Sequence, residues 1–339
     1  MDPADLTTDV WDVDAADFPA EGTVEEQVRF LLRYAVLAPS SHNAQPWSFG
    51  VDDCGTVTVR GVDDRWLREA DPDRREFHLS LGCAVETLRI AARRFGLGCR
   101  AVTPAEGAVV ARVEIGPGGN PPLDADLFDQ ITERYTDHRP FQWTPVPTPV
   151  LENLRAEAAE FDVAVRIVRE ERPKRSLAEL QANADRAQMT SPAYRRELGR
   201  WIGMGALGDS WLAARIGRAA VTQLNLGGRE ARRNSALIES APVVAVLSTG
   251  DDERPTQVAT GRAFQRMALA ASAAGLAVHP MSQILERPDD RERLRELLDL
   301  DGRPQHLFRL GAVDGRQPHT PRWPAESVTV DGGAPDDAE

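Results

Sequence analysis

The sequence predicts an α+β protein made of two related units in one chain. Three observations carry this expectation. The chain has 339 residues, more than one ordinary domain needs. Strand-like and helix-like segments are mixed along it, with no membrane-length apolar run. And one helical segment recurs: GCAVETLRIAARRFGL (82–97) lies over GRAFQRMALAASAAGL (261–276) with the same glycine spacing. Gly82 matches Gly261, Val85 matches Phe264, Glu86 matches Gln265, Leu88 matches Met267, and Gly96 matches Gly275. A strand is expected before and after each copy, so the repeat reads as one unit used twice and packed as a dimer would be.

The elements follow in order. Thr23 and Glu26 form a capping box, after which Val28, Leu31, Leu32, Ala35 and Val36 share a helical face that Pro39 ends. Trp47, Phe49 and Val51 alternate as a strand, Asp52–Gly55 turns, and Val57 and Val59 continue. Asp71-Pro72 is expected to start the first repeat helix, which stops at Gly96. A strand near 108–115 closes this unit, and GPGGNPP (116–122) is the best linker. The second half opens with a helix around 123–133 and another at Thr148-Pro149. Then come a strand over 162–168, a helix capped by Ser176 and Glu179, and a glycine-interrupted helical stretch to 240. A buried strand (242–248), the second repeat helix, a short charged helix opened by Pro288 and a strand over 305–313 complete it. The expected boundaries are an acidic arm (1–22), a first unit (23–122), a second unit (123–325) with a helical lid insertion at about 176–240, and an acidic disordered tail (326–339).

Charge narrows the function. The net charge is −13, but the first 21 residues hold seven carboxylates and residues 331–339 hold four, with no Lys or Arg in either stretch. The body between is nearly neutral, so no basic footprint for nucleic acid exists. The acidic start also lacks the positive region of a secretory signal. Three cysteines without metal spacing suggest reduced thiols, and the expectation is a cytoplasmic protein with no metal and no membrane partner. Lys174 is the only lysine and sits in a charged run, which argues against Schiff-base chemistry. Gly203, Gly205 and Gly208 spell a dinucleotide fingerprint, but a helical pattern precedes them where a strand is required.

Two segments bear on chemistry. APSSHNAQPW (38–47) places Ser40, Ser41, Asn43 and Gln45 on backbone stiffened by Pro39 and Pro46, between a helix and a strand. Hydroxyls and amides suit a ligand with many polar edges, and they equally suit a loop that merely caps the preceding helix. RYTDHRPF (134–141) bunches Arg134, Thr136 and Arg139 as donors for a phosphate, and Arg316 and Arg322 lie in a late proline-rich loop.

Together these residues resemble the nitroreductase family of FMN-dependent oxidoreductases. The loop matches at Pro39, Ser40, Ser41, Asn43, Gln45, Pro46 and Trp47, and the phosphate segment at Arg134 and Thr136. The turn over the flavin ring matches at Pro280, Met281, Ser282 and Gln283, and the terminal arginine at Arg322. His138 stands where relatives carry Arg or Lys. The loop occurs only in the first half and the Arg segment only in the second, as in the branch typified by mycobacterial Acg proteins. The resemblance implies a fused pseudo-dimer holding one FMN and working as a monomer. It also implies hydride transfer from NAD(P)H to a small organic acceptor such as a nitro compound or quinone, with no catalytic side chain because the flavin carries the chemistry. That branch includes lidded members thought to store FMN, so sequestration is the alternative. Trp201 and Trp211 fall in the lid region, where either core anchoring or a lid role fits.

Overall fold

The computed structural model describes residues 5–104, 106–118, 124–204, 217, 219–223 and 227–331. Most of the expected linker, together with Gly205, Gly208 and Trp211, lies outside the described residues.

Helix α1 (Val24–Ala35) begins as its sequence dictates. Glu26 N–H donates to Thr23 Oγ1 at 3.2 Å, and Thr23 N–H donates to Glu26 Oε2 at 2.7 Å. The expected apolar face, from Val28 to Val36, is buried. Strands β1 (Trp47–Val51) and β2 (Thr56–Gly61) pair antiparallel across a turn that Asp52 closes by accepting from Cys54 and Thr56 N–H. Helix α2 (Arg75–Arg94) starts three residues later than Asp71-Pro72 suggests, because Arg74 takes a left-handed conformation (φ 60°) that interrupts the helix. Asp71 still caps it from a distance, accepting from Glu76 and Phe77 N–H at 2.9 and 2.8 Å. Strands β3 (Gly98–Val102) and β4 (Val109–Gly116) follow; β3 has no clear alternation in the sequence.

In the second half the expected 123–133 helix is one short turn, α3 (Ala125–Phe128), followed by turns. Next come α4 (Thr148–Ala159), β5 (Ala164–Val168), α5 (Glu171–Thr190), α6 (Pro192–Gly203) and α7 (Gly227–Ser240). Ser176 is inside α5 rather than at its cap, since the helix begins after Glu170. Then follow β6 (Val243–Thr249), α8 (Arg254–Ala273), β7 (Ala277–Pro280), α9 (Pro288–Leu297) and β8 (Arg303–Gly311). The chain does not fall into a tail at 326. A helical turn, α10 (Ala325–Val328), leads into β9 (Thr329–Asp331), which pairs parallel to β1 because Ala325 and Val328 bury against the core.

Two sheets result, ordered β3-β4-β2-β1-β9 and β5-β6-β8-β7. Without β9, each sheet runs third, fourth, second, first in its own chain order, with every neighbouring pair antiparallel. Helices α2 and α8 pack against each other, and their contacts are reciprocal. Gly82 lies against the Val258 carbonyl, and Gly261 against that of Leu79. Glu86 meets Arg266 at 3.3 Å, and at the matching positions Gln265 donates to Thr87 Oγ1 at 2.9 Å. His78 and Gln257, equivalent in the repeat, meet each other at 2.6 Å. Both helices end alike: Gly96 (φ 75°) and Gly275 (φ 73°) are left-handed, and Leu97 and Leu276 N–H close back onto Ala92 and Ala271.

Candidate functional site

The polar loop leaves α1 where Pro39 stops the helix, and it is held in a strained shape. His42, Asn43 and Gln45 all have positive φ (49°, 54° and 48°). Non-glycine residues hold such angles only where surrounding contacts impose them. Gln45 N–H donates to Ser40 Oγ at 2.9 Å, and Arg65 Nη1 donates to the Gln45 carbonyl at 2.6 Å. Ser41 Oγ donates to Glu76 Oε2 on α2 at 2.7 Å. Asn43 Nδ2 donates to the Pro321 carbonyl at 2.8 Å, and Trp323 N–H donates to Gln45 Oε1 at 3.0 Å. The loop is thereby fixed to the segment carrying Arg322.

Arg134 and Arg322 are 6% and 3% exposed, and neither has a carboxylate partner among the described residues. Arg322 Nη1 donates to Thr320 Oγ1 at 2.5 Å, but its Nε, like that of Arg134, has no partner among the described residues. Burial pushes Arg134 down to about 10; burial and then the charge of Arg134 push Arg322 to about 9. Two desolvated cations that feel each other without an anion are unfavourable. A phosphate would supply the missing negative charge and acceptors for the orphaned N–H groups, so the pair fits the phosphate of FMN. The nearby Cys83 thiol cannot serve, since burial pushes it up and keeps it neutral.

The remaining expected residues divide. Thr136 forms a parallel bridge with Val278, two residues before Pro280, and so joins the Arg segment to the Pro280–Ser282 turn. Met281 is buried, its N–H bonded to the Leu307 carbonyl at 2.9 Å; the Ser282 carbonyl starts the next turn by accepting from Leu285 and Glu286 N–H. Arg139 does not join the phosphate donors: its guanidinium pairs with Asp137 at 2.6 Å. Arg316 likewise pairs with Glu133 at the surface. His138 is exposed and meets the His279 ring edge-on at 4.3 Å.

A cluster that the sequence reasoning missed lies between the loop, the 280–286 turn and the helices after β5. Arg75, fully buried, donates to Glu76 Oε1 at 2.6 Å and to the Gln305 carbonyl. Burial alone would raise the Glu76 carboxyl, but Arg75, His306 and Ser41 hold it well below the usual range. Glu286 goes the other way, pushed up to about 8 by burial and then by the charge of Glu76. Asp185 is pushed up to about 6 by burial. Helix α5 reaches this turn through Gln181 to Gln283 at 2.8 Å and Gln188 to Glu286, while Glu197 on α6 accepts from Ala70 N–H at 3.0 Å. Trp201 is buried in the core. The only sequence signal for the cluster was a run of charge, RREF, entering an apolar helix. Among the described residues no group of side chains forms a metal site, and no helix is long and apolar enough to cross a membrane.

Comparison with known proteins agrees with the expected family. The sequence model of the nitroreductase family matches residues 131–312. A Mycobacterium tuberculosis protein named provisionally as an NAD(P)H nitroreductase is 31% identical over 326 residues, covering 89% of this chain and 92% of that one. The Acg protein of the same organism, named in the same way, is 27% identical over 330 residues, covering 89% and 94%. Among solved structures, the FMN-dependent nitroreductase NfnB from Mycobacterium smegmatis in complex with NADPH aligns with TM-score 0.41 and 20% identity, covering 56% of this chain and 89% of that one. With a relative above 30% identity matched along nearly its whole length, and a family match over half the sequence, the chain belongs to the nitroreductase family.

Proposed function

We propose that the protein is an FMN-binding oxidoreductase that passes reducing equivalents from NAD(P)H to a small organic acceptor such as a nitro compound or quinone. The observation that carries this reading is the buried Arg134–Arg322 pair, two cations without a carboxylate partner among the described residues, beside a loop of fixed amides and hydroxyls. Arg134 and Arg322 would hold the phosphate. Ser40, Ser41, Asn43 and Thr136 would meet the ribityl chain and ring edges, Gln45 would hold the loop in place through its bonds to Trp323 N–H and the Asn43 carbonyl, and the Pro280–Met281–Ser282 turn would pack on the ring. Bound there, FMN supplies the group that accepts and donates hydride. The chain supplies orientation and proton placement. Glu76 stays ionised against Arg75, while burial and the charge of Glu76 push the Glu286 carboxyl up to about 8, which makes it a candidate proton donor; burial raises Asp71 as well.

The reciprocal contacts of α2 and α8 and the matching strand orders support a further part of the reading: the two units form an internal pair. The loop comes from the first unit and Arg134 from the second, so one site per chain and a working monomer follow. Sequestration of FMN is the second reading, favoured by the fastening of α5 onto the 283–286 turn. Anaerobic addition of NADH and then NADPH to the FMN-loaded protein separates the two. Bleaching of the flavin absorbance within seconds to minutes is the expected result. A lasting yellow colour with both donors supports storage, and failure to retain any FMN overturns both.

A further inference from the structure

The acidic arm that opens the chain is fastened at both ends. Phe18 stacks on Phe95 at 4.0 Å and meets Phe30 edge-on at 5.6 Å. At the other end Thr7 and Arg322 exchange both backbone hydrogen bonds, Thr7 N–H to the Arg322 carbonyl at 3.0 Å and Arg322 N–H to the Thr7 carbonyl at 2.9 Å. Trp11, 8% exposed, lies between. Its Nε1–H donates to the Thr320 carbonyl at 2.9 Å, its ring stacks on His319 at 4.0 Å, and the Arg322 guanidinium sits over it at 5.2 Å.

These contacts converge on one side chain. Arg322 is a long, flexible cation, buried without an ion-pair partner among the described residues, and what fixes it is the Thr320 oxygens, the Pro321 carbonyl and the face of Trp11. Trp11 is also part of the wall of a surface cleft of about 540 Å³ lined by the carboxylates of Asp12 and Asp14 and by the Glu133–Arg316 ion pair. Arg322 does not line that cleft. The indole therefore lies between the buried Arg322 guanidinium and an open cleft whose Asp12 and Asp14 carboxylates would compete for that cation.

We propose that the arm is a clasp on the phosphate site: Trp11 and Thr7 are positioning residues that hold Arg322 in place, so the arm sets how tightly and how long a phosphorylated flavin is retained. This rests on Arg134 and Arg322 holding the FMN phosphate. A clasp acting through the phosphate must leave the same ring without its phosphate unaffected, and riboflavin is that ligand.

The test compares FMN and riboflavin affinity, and the rate of FMN release by flavin fluorescence, in wild type, Trp11→Ala, Trp11→Phe, Thr7→Pro and Thr7→Ala. Losing a desolvated cation–π contact predicts about a tenfold weaker FMN complex and faster release in Trp11→Ala, with riboflavin affinity changed less than about twofold. Trp11→Phe, which keeps an aromatic face, should restore most of the loss. Thr7→Pro removes a backbone donor to Arg322, and Thr7→Ala, which loses only the side-chain bond to Asp9 N–H, is its control; a selective loss of FMN affinity in Thr7→Pro beyond that of Thr7→Ala decides the matter if Trp11→Ala does not fold. Equal losses for FMN and riboflavin, or wild-type FMN retention in the variants, overturn the clasp alone. Wild-type protein that binds riboflavin as tightly as FMN overturns the phosphate site and the clasp with it.

Discussion

At the scale of single residues, the site is governed by charge taken out of water. Arg134 has no carboxylate partner among the described residues, so removing it should cost little in folding and much in binding. Arg134→Ala should weaken FMN on the order of a hundredfold and release it on gel filtration, as expected for a lost charge-assisted contact in a buried site. Arg155→Ala, on the exposed face of α4, should retain the flavin, and equal retention in both would remove Arg134 from the site. Glu286 gives a pH prediction. Its carboxyl is raised to about 8 from an ordinary 4.5, so the folded state binds the proton more tightly than the unfolded chain. Its contribution to stability is complete below pH 4.5 and is lost as the pH rises through about 8. Glu286→Gln, which cannot ionise, should therefore gain in melting temperature relative to wild type between pH 5 and 8.5, by a few degrees at the upper end. A constant difference across that range would show that Glu286 does not titrate there. The loop residues and Arg134 could be singled out in the sequence as candidates because together they match the nitroreductase pattern, although the loop's residue types alone suit a helix cap equally well. Glu76, Arg75 and Glu286 were not, because a charged residue in a sequence reads as surface until its burial is seen.

At the scale of elements, the two repeat helices were legible because amphipathic period and glycine caps are local. Their start and neighbours were less so. The left-handed Arg74 that delays α2 leaves no compositional mark, β3 and β7 are short strands whose pairing with β4 and β8 supplies what their sequences lack, and β9 exists only because β1 offers an edge. Gly82 and Gly261 are the tightest point between α2 and α8. A methyl group at either would land on a carbonyl oxygen of the opposing helix, Val258 or Leu79, and rigid backbone cannot yield as a side-chain tip would. Overpacking typically costs about 1–3 kcal/mol, and backbone opposition puts this site at or above the upper end. Gly261→Ala should lower the urea midpoint accordingly, whereas Gly116→Ala, whose added methyl meets open space, should leave it nearly unchanged. Similar midpoints for the two would mean that the helices can separate without loss.

At the scale of the whole molecule, the repeat seen in the sequence reappears as two four-strand patterns of the same order, with a fifth strand from the end of the second half added to the sheet of the first. What the sequence could not display was the reciprocity of the contacts, which depends on positions 179 apart meeting across a shared seam. That seam is already buried: Val85, Leu88, Phe264 and Met267 lie in one core cluster with residues of both sheets. A second chain is not needed to cover the helix faces, and the loop, the Arg segment and Arg322 all come from one polypeptide. The expected outcome is a monomer of 37.2 kDa carrying about one FMN. Light scattering on dilute, FMN-loaded protein measures the mass, and acid release with chromatography counts the flavin. A dimer that sheds its flavin on dilution would mean that the site is shared between chains and would defeat the internal-pair reading. Two FMN per monomer would mean that a second pocket exists without the loop or the Arg segment, and the residues assigned to the first would then not be what defines a site.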